Sequence, residues 1–368
     1  MIDIKFFQDI FNIKQEILAD KNNLSYDELF FKFESLRNRR PFVFNIETTN
    51  VCNMDCVMCP RPKLMHRKIQ HMDMGLFEKV VKQIKPHSDA ELRSFWDFVV
   101  EKYGVLANHR NENAFYFYTV VKSLTLHGFG EPLLDPYMDK RISLCSELGI
   151  PTYFSCVPAN ISVEKVWDII KAGLGTIKFS IDSLTDSGQK KVRGKNNNFI
   201  ESYDKICELI KLRSKDKSVK TEFVVTMVAL SDTQEDRKMY SDFMKLWHEK
   251  PVFAYIKSQD NRWFHEDDED LECKSHYESQ YCEFPWLSLT VMADGTVVPC
   301  SQDYNCEMSM GNAGSQTLEE VWNSAKFDQL RKLHIKGLDA GDWKCYGRCD
   351  IKTLNKRLGS GEQRILSR

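Results

Sequence analysis

The sequence predicts an α/β fold, a partial barrel of parallel strands followed by a small C-terminal α+β unit. Three observations predict it: strand-like and helix-like patterns alternate along most of the chain, three cysteines follow the first strand pattern, and a second group of cysteines lies in the C-terminal quarter. Regular strand–helix alternation is typical of parallel sheets and barrels. A chain of 368 residues is long enough for one large domain with a smaller appended unit.

The predicted barrel depends on six segments that have the composition of strands. Helical patterns separate them, such as 162–172, where apolar residues share one face, Ser162 is a candidate N-cap and Gly173 ends the helix. The helices would cover the outer face of the sheet, as in other parallel α/β folds. The predicted strands are 41–47, 123–127, 151–156, 176–181, 220–228 and 251–257.

The chain also contains segments that interrupt or flank this alternation. An aromatic insertion at about 87–120 is longer than a helix-to-strand loop needs, and an acidic run near 265–273 predicts a solvated loop. We expect a helical extension at 1–40, a barrel at 41–264 that includes the insertion, a linker at 265–281, a cysteine-rich unit at 282–350 and a tail at 351–368.

The overall charge indicates no class of charged partner. Lys and Arg total 51 and Asp and Glu total 53, so we expect neither nucleic acid nor an anionic membrane surface as a partner. No stretch approaches the roughly 20 apolar residues of a membrane span, and charged residues interrupt the N-terminal segment, which excludes a signal peptide. We therefore expect a cytosolic protein, whose 12 cysteines indicate metal binding, catalysis or burial rather than disulfides.

The first cysteine group has the spacing Cys-x3-Cys-x2-Cys and follows the first predicted strand. Cys52, Cys56 and Cys59 therefore lie at the carboxyl edge of the sheet, where sites of α/β proteins form. Structural zinc needs a fourth ligand, for which His66 and His71 are the nearest candidates. Three thiolates on a 4Fe–4S cluster instead leave one iron open to a small ligand. Buried structural cysteines or zinc remain the alternatives.

This segment, ETTNVCNMDCVMCPRP, resembles the cluster-binding motif of the radical S-adenosylmethionine (SAM) superfamily. Met58 fits the hydrophobic residue that usually precedes the third cysteine. The resemblance implies a partial (β/α)6 TIM-like barrel and a 4Fe–4S cluster whose open iron is chelated by SAM. It further implies that one electron cleaves SAM to a 5′-deoxyadenosyl radical, which abstracts hydrogen from a substrate.

Two further segments resemble the SAM-binding parts of that family. GFGEP resembles its Gly-Gly-Glu motif, in which glycine lets the backbone approach a ligand and the glutamate accepts hydrogen bonds from an ammonium group. KFSIDS and KKVRG resemble segments that contact the SAM carboxylate and ribose; a strand end, a helix cap and a surface charge are the alternatives. The SAM contacts implied are Phe129, Gly130, Glu131, Ser180, Asp182 and Arg193.

The C-terminal quarter predicts a small unit that wraps a metal centre. Residues 287–291 alternate apolar and hydroxyl side chains, Asp294 and Gly295 supply a hairpin turn, and 317–336 has the pattern of one helix with an N-terminal capping box. Cysteines flank both elements. They are Cys282, Cys300, Cys306, Cys345 and Cys349.

This region resembles the SPASM and twitch extensions of radical SAM enzymes, which hold auxiliary iron–sulfur clusters. The full SPASM pattern has more cysteines, so the shorter twitch arrangement with one further 4Fe–4S cluster fits better. The resemblance implies Cys282, Cys300, Cys345 and Cys349 as ligands; the last pair departs from the usual Cys-x2-Cys spacing, which leaves Cys306 as an alternative ligand. Zinc on four cysteines is the other possibility.

The resemblance leaves two reactions open. One is oxidation of a carbinol of a sugar or aminocyclitol, as in the 2-deoxy-scyllo-inosamine dehydrogenase type, with the auxiliary cluster as electron acceptor. The other is modification of a ribosomal peptide by crosslinking, thioether formation or epimerisation. Glu131, Ser180 and Arg193 argue against a mere electron carrier, which needs no SAM pocket. We expect a flavodoxin- or ferredoxin-like reductant, and no sequence feature identifies the catalytic base.

Overall fold

The computed structural model describes residues 1–18, 21–258 and 282–336. The predicted linker, the C-terminal tail, Cys345 and Cys349 lie outside these residues. The strands are β1 Val43–Ile46, β2 Leu124–Thr125, β3 Thr152–Cys156, β4 Thr176–Ser180, β5 Glu222–Ala229, β6 Phe253–Ser258, β7 Leu289–Val291, β8 Thr296–Val298 and β9 Gly311–Asn312.

Helices precede, connect and follow these strands. Two short 3-10 helices, Pro132–Leu134 and Pro158–Asn160, and a π-helix, Tyr116–Val120, occur in addition. The α-helices are α1 Ile4–Asp9, α2 Phe11–Leu18, α3 Tyr26–Leu36, α4 Arg61–Leu64, α5 Met74–Val81, α6 Asp89–Tyr103, α7 Glu112–Phe115, α8 Met138–Glu147, α9 Val163–Lys171, α10 Asp186–Arg193, α11 Phe199–Lys215, α12 Gln234–His248, α13 Phe284–Leu287, α14 Leu318–Trp322 and α15 Ala325–Lys336.

The strands form one sheet in the order β6-β5-β4-β3-β2-β1-β7-β8-β9. Strands β1 to β6 pair in parallel with their sequence neighbours, and helices connect β2 through β6, so the predicted partial α/β barrel is confirmed. All six predicted strands are present. Parallel strands joined in order by helical crossovers bring every carboxyl end to the same edge, which is why residues far apart in sequence meet there.

Alternation along each strand separates an apolar outer face from a polar inner face. The outer residues pack under the helices in the main hydrophobic core, among them Phe154, Ile177, Phe179, Phe223 and Val225. The strand register places the alternate residues together on the concave side. Most inner residues are polar or aromatic, and Val224 and Phe253 add apolar surface near the amino ends of β5 and β6. The others are Asn45, Thr125, Tyr153, Ser155, Lys178, Ser180, Thr226, Tyr255 and Thr290, and we call the space that these inner residues surround the barrel chamber.

The 87–120 insertion closes the amino-terminal end of the chamber. Helix α7 and the π-helix present Phe115 to the inner face, where its ring lies 5.3 Å from Tyr153, 5.5 Å from Tyr255 and 6.2 Å from Phe253, measured between centroids. Helix α6 packs against α1 in a second core, which includes Phe95 and residues of the N-terminal helices. The insertion is therefore an aromatic floor, backed by the helical extension.

The C-terminal strands continue the barrel sheet. Strand β7 pairs in parallel with β1, and the Thr290 hydroxyl donates to Asn45 Oδ1 at 2.7 Å. The predicted hairpin is present: β7 and β8 are antiparallel, and Gly295 has a φ of 85°, which favours glycine at the turn. The cysteine-rich region thus shares backbone hydrogen bonds with the barrel.

Two local predictions were wrong in detail. The single helix predicted over 317–336 is two helices, α14 and α15, because the chain leaves helical geometry around Asn323 and Ser324; the predicted capping box of Thr317 and Glu320 is present. Ser162 occupies the N-cap position of α9, but its side chain makes no capping hydrogen bond. Among the described residues, no helix combines the length and apolar composition needed to cross a membrane.

Replacing Phe115 by alanine should lower the free energy of unfolding by about 3–5 kcal/mol, because it opens a cavity in the aromatic floor. Phe31→Ala is the matched control: this ring is 68% exposed, and its loss should change the free energy of unfolding by less than about 0.5 kcal/mol. Denaturant titration followed by circular dichroism measures both. Equal effects would contradict a packed floor.

Candidate active site at the carboxyl edge of the barrel

The loop after β1 carries the first three cysteines and lies across the carboxyl edge of the sheet. Cys52, Cys56 and Cys59 are each half-buried. The loop is held from two sides: the Asp55 N–H donates to Arg193 O at 3.3 Å, and the Glu131 N–H donates to the carbonyl just before Cys52 at 2.8 Å. These contacts come from the ends of α10 and β2, so the fold of the barrel fixes the loop that the sequence motif occupies.

Asn50 holds the start of this loop against the following segment. It is fully buried, its Nδ2 donates to Lys68 O at 2.8 Å, and its Oδ1 accepts from the Gln70 N–H at 2.7 Å. Arg61 Nε donates to the Asn50 carbonyl at 2.9 Å, which closes the loop on itself. These three hydrogen bonds of a buried residue restrain the start of the loop.

The three thiols interact with one another electrostatically. Burial raises the pKa of all three, that of Cys59 to about 11, and the Cys52 and Cys56 thiols add to the shift at Cys59. No group of three or more His, Cys, Asp or Glu side chains in the described part of the chain could hold a single metal ion. A cluster takes one thiolate on each of several irons, so its ligands spread wider than those of one ion.

Three half-buried cysteines on one short loop are the ligand type that an iron–sulfur cluster takes, so the donor set fits such a cluster. Iron would replace the protons that burial otherwise retains on sulfur. Met58 lies in the same loop and is half-buried.

The GFGE segment after β2 packs directly on the cysteine loop. A Cβ at Gly130 would lie 2.2 Å from the carbonyl oxygen of Thr49, and a Cβ at Gly128 would lie 2.7 Å from Glu47 Oε2. Phe129, between them, donates its N–H to the same Glu47 oxygen at 3.1 Å. Only glycine permits this approach, so the glycines bring Glu131 next to the cysteine loop.

Glu131 is a buried carboxylate that faces the thiols. Its oxygens accept from the N–H groups of Leu133 at 3.1 Å and Val157 at 2.9 Å. Burial nevertheless raises the pKa of Glu131 to about 7, and Arg193 lowers it only slightly. Each carboxylate oxygen has two lone pairs, so capacity for a further donor remains. A desolvated carboxylate of this kind is stabilised by an incoming ammonium group.

Asp182 and Arg193 meet each other at the same edge. Arg193 Nε donates to Asp182 Oδ2, and its Nη1 donates to Cys56 Sγ at 3.6 Å. Asp182 Oδ1 accepts from the Val228 N–H at 2.8 Å. Burial alone would lower the pKa of Arg193, but Asp182 and Cys56 raise it above its usual value, so the guanidinium stays charged beside the thiol. Ser180 lies two residues before Asp182, deeper in the barrel, with its hydroxyl oxygen 3.2 Å from that of Ser155.

Sequence reasoning missed a buried ion pair between Glu47 and Arg67. Arg67 donates from Nη1 and Nη2 to the two oxygens of Glu47, both at 2.8 Å, and its Nε donates to Tyr304 O. The same carboxylate accepts from the N–H groups of Phe129 and Ala293. No spacing motif identifies these two residues in the sequence. The one feature that could have indicated a buried charge is the position of Glu47 at the end of an apolar strand.

The C-terminal cysteines within the described residues lie on different elements. Cys282 precedes α13, and Cys300 follows β8, where its sulfur accepts from the Gln302 N–H at 3.5 Å. Cys282, Cys300 and Cys306 are all half-buried. Cys306 has a φ of 58°, the one non-glycine left-handed residue among the described residues. Burial raises the pKa of its thiol to about 12, against the opposite effect of Arg67. The ligand set of this region stays a prediction.

A family model and a known enzyme each match part of the chain. Residues 282–350 match the SPASM family, described as an iron–sulfur cluster-binding domain. A stretch of 56 residues is 38% identical to the S-adenosyl-L-methionine-dependent 2-deoxy-scyllo-inosamine dehydrogenase of Niallia circulans. That match spans 15% of this chain and 22% of the relative's length.

Solved structures resemble the chain over most of its length. Native anSMEcpe with bound AdoMet and Kp18Cys peptide is 15% identical, with a TM-score of 0.51, and the alignment covers 84% of this chain and 88% of that one. BtrN in complex with AdoMet and 2-DOIA is 17% identical, with a TM-score of 0.45, and the alignment covers 83% and 90%. The anSMEcpe likeness shows a shared fold.

Iron content tests the two ligand sets. Anaerobically reconstituted protein should contain about eight irons, as two 4Fe–4S clusters, and simultaneous Cys52→Ala, Cys56→Ala and Cys59→Ala should leave about four. Cys306→Ala should retain about eight, whereas Cys349→Ala should lose auxiliary iron. Iron and sulfide analysis with electron paramagnetic resonance measures this. Zinc in place of the second set, or iron loss only in Cys306→Ala, would contradict the assignment.

Glu131→Ala and Arg193→Ala should each weaken SAM binding by at least tenfold, because they remove the buried carboxylate and the guanidinium next to the cysteine loop. Equilibrium binding to the reconstituted protein measures the loss. Glu201→Ala, at an exposed carboxylate on α11, is the control and should bind SAM as the unmodified protein does. Unchanged binding in both site variants, with intact iron content, would place the SAM pocket elsewhere.

Proposed function

We propose that this chain, a member of the radical SAM family that carries a C-terminal SPASM iron–sulfur domain, is an oxidoreductase that oxidises a carbinol of a sugar or aminocyclitol. The observation that supports this most directly is the meeting of the thiol loop, Glu131 and Arg193 above a chamber lined by polar side chains. The short stretch shared with a dehydrogenase of an aminocyclitol supports the same substrate class.

The residues at the carboxyl edge have separate roles in this proposal. Cys52, Cys56 and Cys59 hold the cluster, Glu131 binds the ammonium group of SAM, and Arg193 pairs with its carboxylate. When bound, the cluster and SAM supply the 5′-deoxyadenosyl radical that abstracts a hydrogen atom, and the auxiliary cluster supplies the acceptor for the second electron. In this proposal Ser180 contacts the SAM carboxylate and Asp182 the ribose; both residues lie at the carboxyl end of β4, next to Arg193 and Ser155.

The chamber below this edge suits a small polyol. Its walls carry hydroxyl, amide and amine groups, which match the donors and acceptors of a sugar, and the aromatic floor closes the end remote from the cysteine loop. Hydrogen bonds from buried polar groups discriminate strongly between substrates with and without the matching hydroxyl. The floor also excludes water from the reacting carbon, which protects a radical from side reactions.

A peptide substrate is the second candidate. The fold likeness to anSMEcpe, whose structure contains a bound peptide, supports this second reaction class. A peptide would have to enter from the carboxyl edge, since Phe115 and its neighbours fill the other end. For either substrate we propose a flavodoxin- or ferredoxin-like reductant and a cytosolic location, where thiols stay reduced.

The test uses reconstituted protein, SAM, dithionite and aminocyclitols or sugars carrying deuterium at one carbinol carbon. We expect deuterium in the 5′-deoxyadenosine formed and a ketone in the product, both detected by mass spectrometry. Protein with the three cysteines of the first group replaced by alanine is the control and should form neither. SAM cleavage without deuterium transfer from any polyol, together with transfer from a peptide, would overturn the carbinol proposal in favour of the second candidate.

A further inference from the structure

Lys178 is a basic side chain in the wall of the barrel chamber. It lies in the middle of β4, and its register partners Ser155 and Val224 place it on the inner face. Ser180 follows two residues later on the same face, which corresponds to roughly 6.6 Å along a strand. Lys178 therefore lies one layer below the SAM side of the edge, at the depth of the chamber where a substrate would be held.

The surroundings of Lys178 disfavour its charged form. The residue is 9% exposed. Its Nζ lies 5.3 and 5.5 Å from the ring centroids of Phe115 and Tyr153, whose faces attract an ammonium group, but burial outweighs this attraction. Burial, with the like charge of Lys257, lowers the pKa of Lys178 to about 7. Glu112 on α7 and, more remotely, Asp182 raise it, while Arg193 lowers it. Close to neutral pH a large fraction of this amine is uncharged and can accept a proton.

His127, the other candidate base nearby, is already engaged. Its Nδ1 accepts from the Ser155 backbone N–H at 3.2 Å, and burial together with the charges of Lys178 and Lys257 lowers its pKa to about 3. A neutral imidazole whose Nδ1 accepts carries its hydrogen on Nε2. The Ser155 N–H therefore occupies the one lone pair of the neutral His127 ring that could take a proton, so His127 is not the base.

The remaining titratable groups of the chamber are donors or belong to the SAM pocket. Burial raises the pKa of Tyr153 and Tyr255 well above the usual value, so both keep their phenolic hydrogens. Glu131 lies next to the cysteine loop, where it accepts from the backbone N–H groups of Leu133 and Val157 and where the proposed function assigns it to the ammonium group of SAM. Two amines are left on the inner face, Lys178 and the half-buried Lys257, and Lys178 is the buried one that lies over the aromatic floor.

We propose that Lys178 is the general base that takes the hydroxyl proton of the substrate carbinol, an inference that rests on the proposed function. In this step the substrate O–H bond breaks and an N–H bond forms on Nζ, and the electron pair stays on oxygen. As in the proposed function, the hydrogen atom on carbon goes to the 5′-deoxyadenosyl radical, and the remaining electron goes to the auxiliary cluster. Removing the proton makes the substrate radical a stronger reductant, which favours loss of that electron.

The test compares Lys178→Met and Lys178→Arg with the unmodified reconstituted protein. Neither variant can accept a proton there, since arginine stays protonated in proteins. Ketone formation should fall by about 10²–10⁴-fold in both, the usual contribution of a general base. Iron content, SAM binding and the slow release of 5′-deoxyadenosine without substrate should be unchanged, which separates loss of the base from loss of the fold. In the unmodified protein, ketone formation should rise with pH through about 7.

Lys257→Met supplies a matched change in the same chamber. Removing this like charge should raise the pKa of Lys178 and move the pH profile of ketone formation to higher pH. A readout independent of turnover is the titration of the Lys178 side chain by nuclear magnetic resonance of lysine labelled with carbon-13 at Cε in the cluster-loaded protein. Its midpoint should lie close to 7 and should rise in Lys257→Met.

Three outcomes overturn the inference. The first is a titration midpoint of Lys178 close to that of an ordinary lysine. The second is ketone formation by Lys178→Arg at the rate of the unmodified protein. The third is a pH profile of ketone formation that Lys257→Met does not change. These results leave the proposed function intact whenever the unmodified protein transfers deuterium from a polyol. Absence of that transfer in the unmodified protein defeats the proposed function itself, and the role of Lys178 with it.

Discussion

The buried ion pair of Glu47 and Arg67 holds together the segments that form the site. Glu47 ends β1, and its carboxylate accepts from Arg67 behind the cysteine loop, from Phe129 in the GFGE segment and from Ala293 in the C-terminal hairpin. Burial alone would lower the pKa of Arg67, but its hydrogen bonds to Glu47 raise it. Loss of one partner from such a pair typically costs about 3–5 kcal/mol, because the other charge stays buried.

This pair also joins the two cysteine groups physically. Arg67 reaches the loop after β8 through the Tyr304 carbonyl, and the next residue, Asn305, accepts from the His66 N–H at 3.0 Å and donates to Leu64 O at 3.1 Å. The SPASM region therefore lies against the segment that follows the first cysteine loop, and β7 extends the barrel sheet. The hydrogen bonds of Arg67 and Asn305 and the pairing of β7 with β1 thus connect the two cysteine-bearing regions directly.

The barrel has two ends with different chemistry. Helix crossovers bring the thiols, Glu131, Asp182 and Arg193 to the carboxyl edge, while the insertion fills the other end with Phe115. Between them the inner face carries most of the polar strand residues, because strand alternation turns most apolar residues outward to the helices. The GFGE glycines illustrate how closely these parts fit: a side chain at Gly130 would collide with the backbone of Thr49 and Asn50, and one at Gly128 would collide with Glu47.

The sequence by itself determined the six parallel strands, the Asp-Gly hairpin and both cysteine groups, since each depends on local alternation, turn chemistry or spacing. Only the tertiary structure decided that Glu47 pairs with Arg67, that Asp182 pairs with Arg193 beside Cys56, and that Lys178 lies in a chamber floored by the insertion. The break at Asn323 likewise escaped a pattern that fits one helix. Such contacts join residues distant in sequence, and burial, which sets their charges, arises only when the chain is packed.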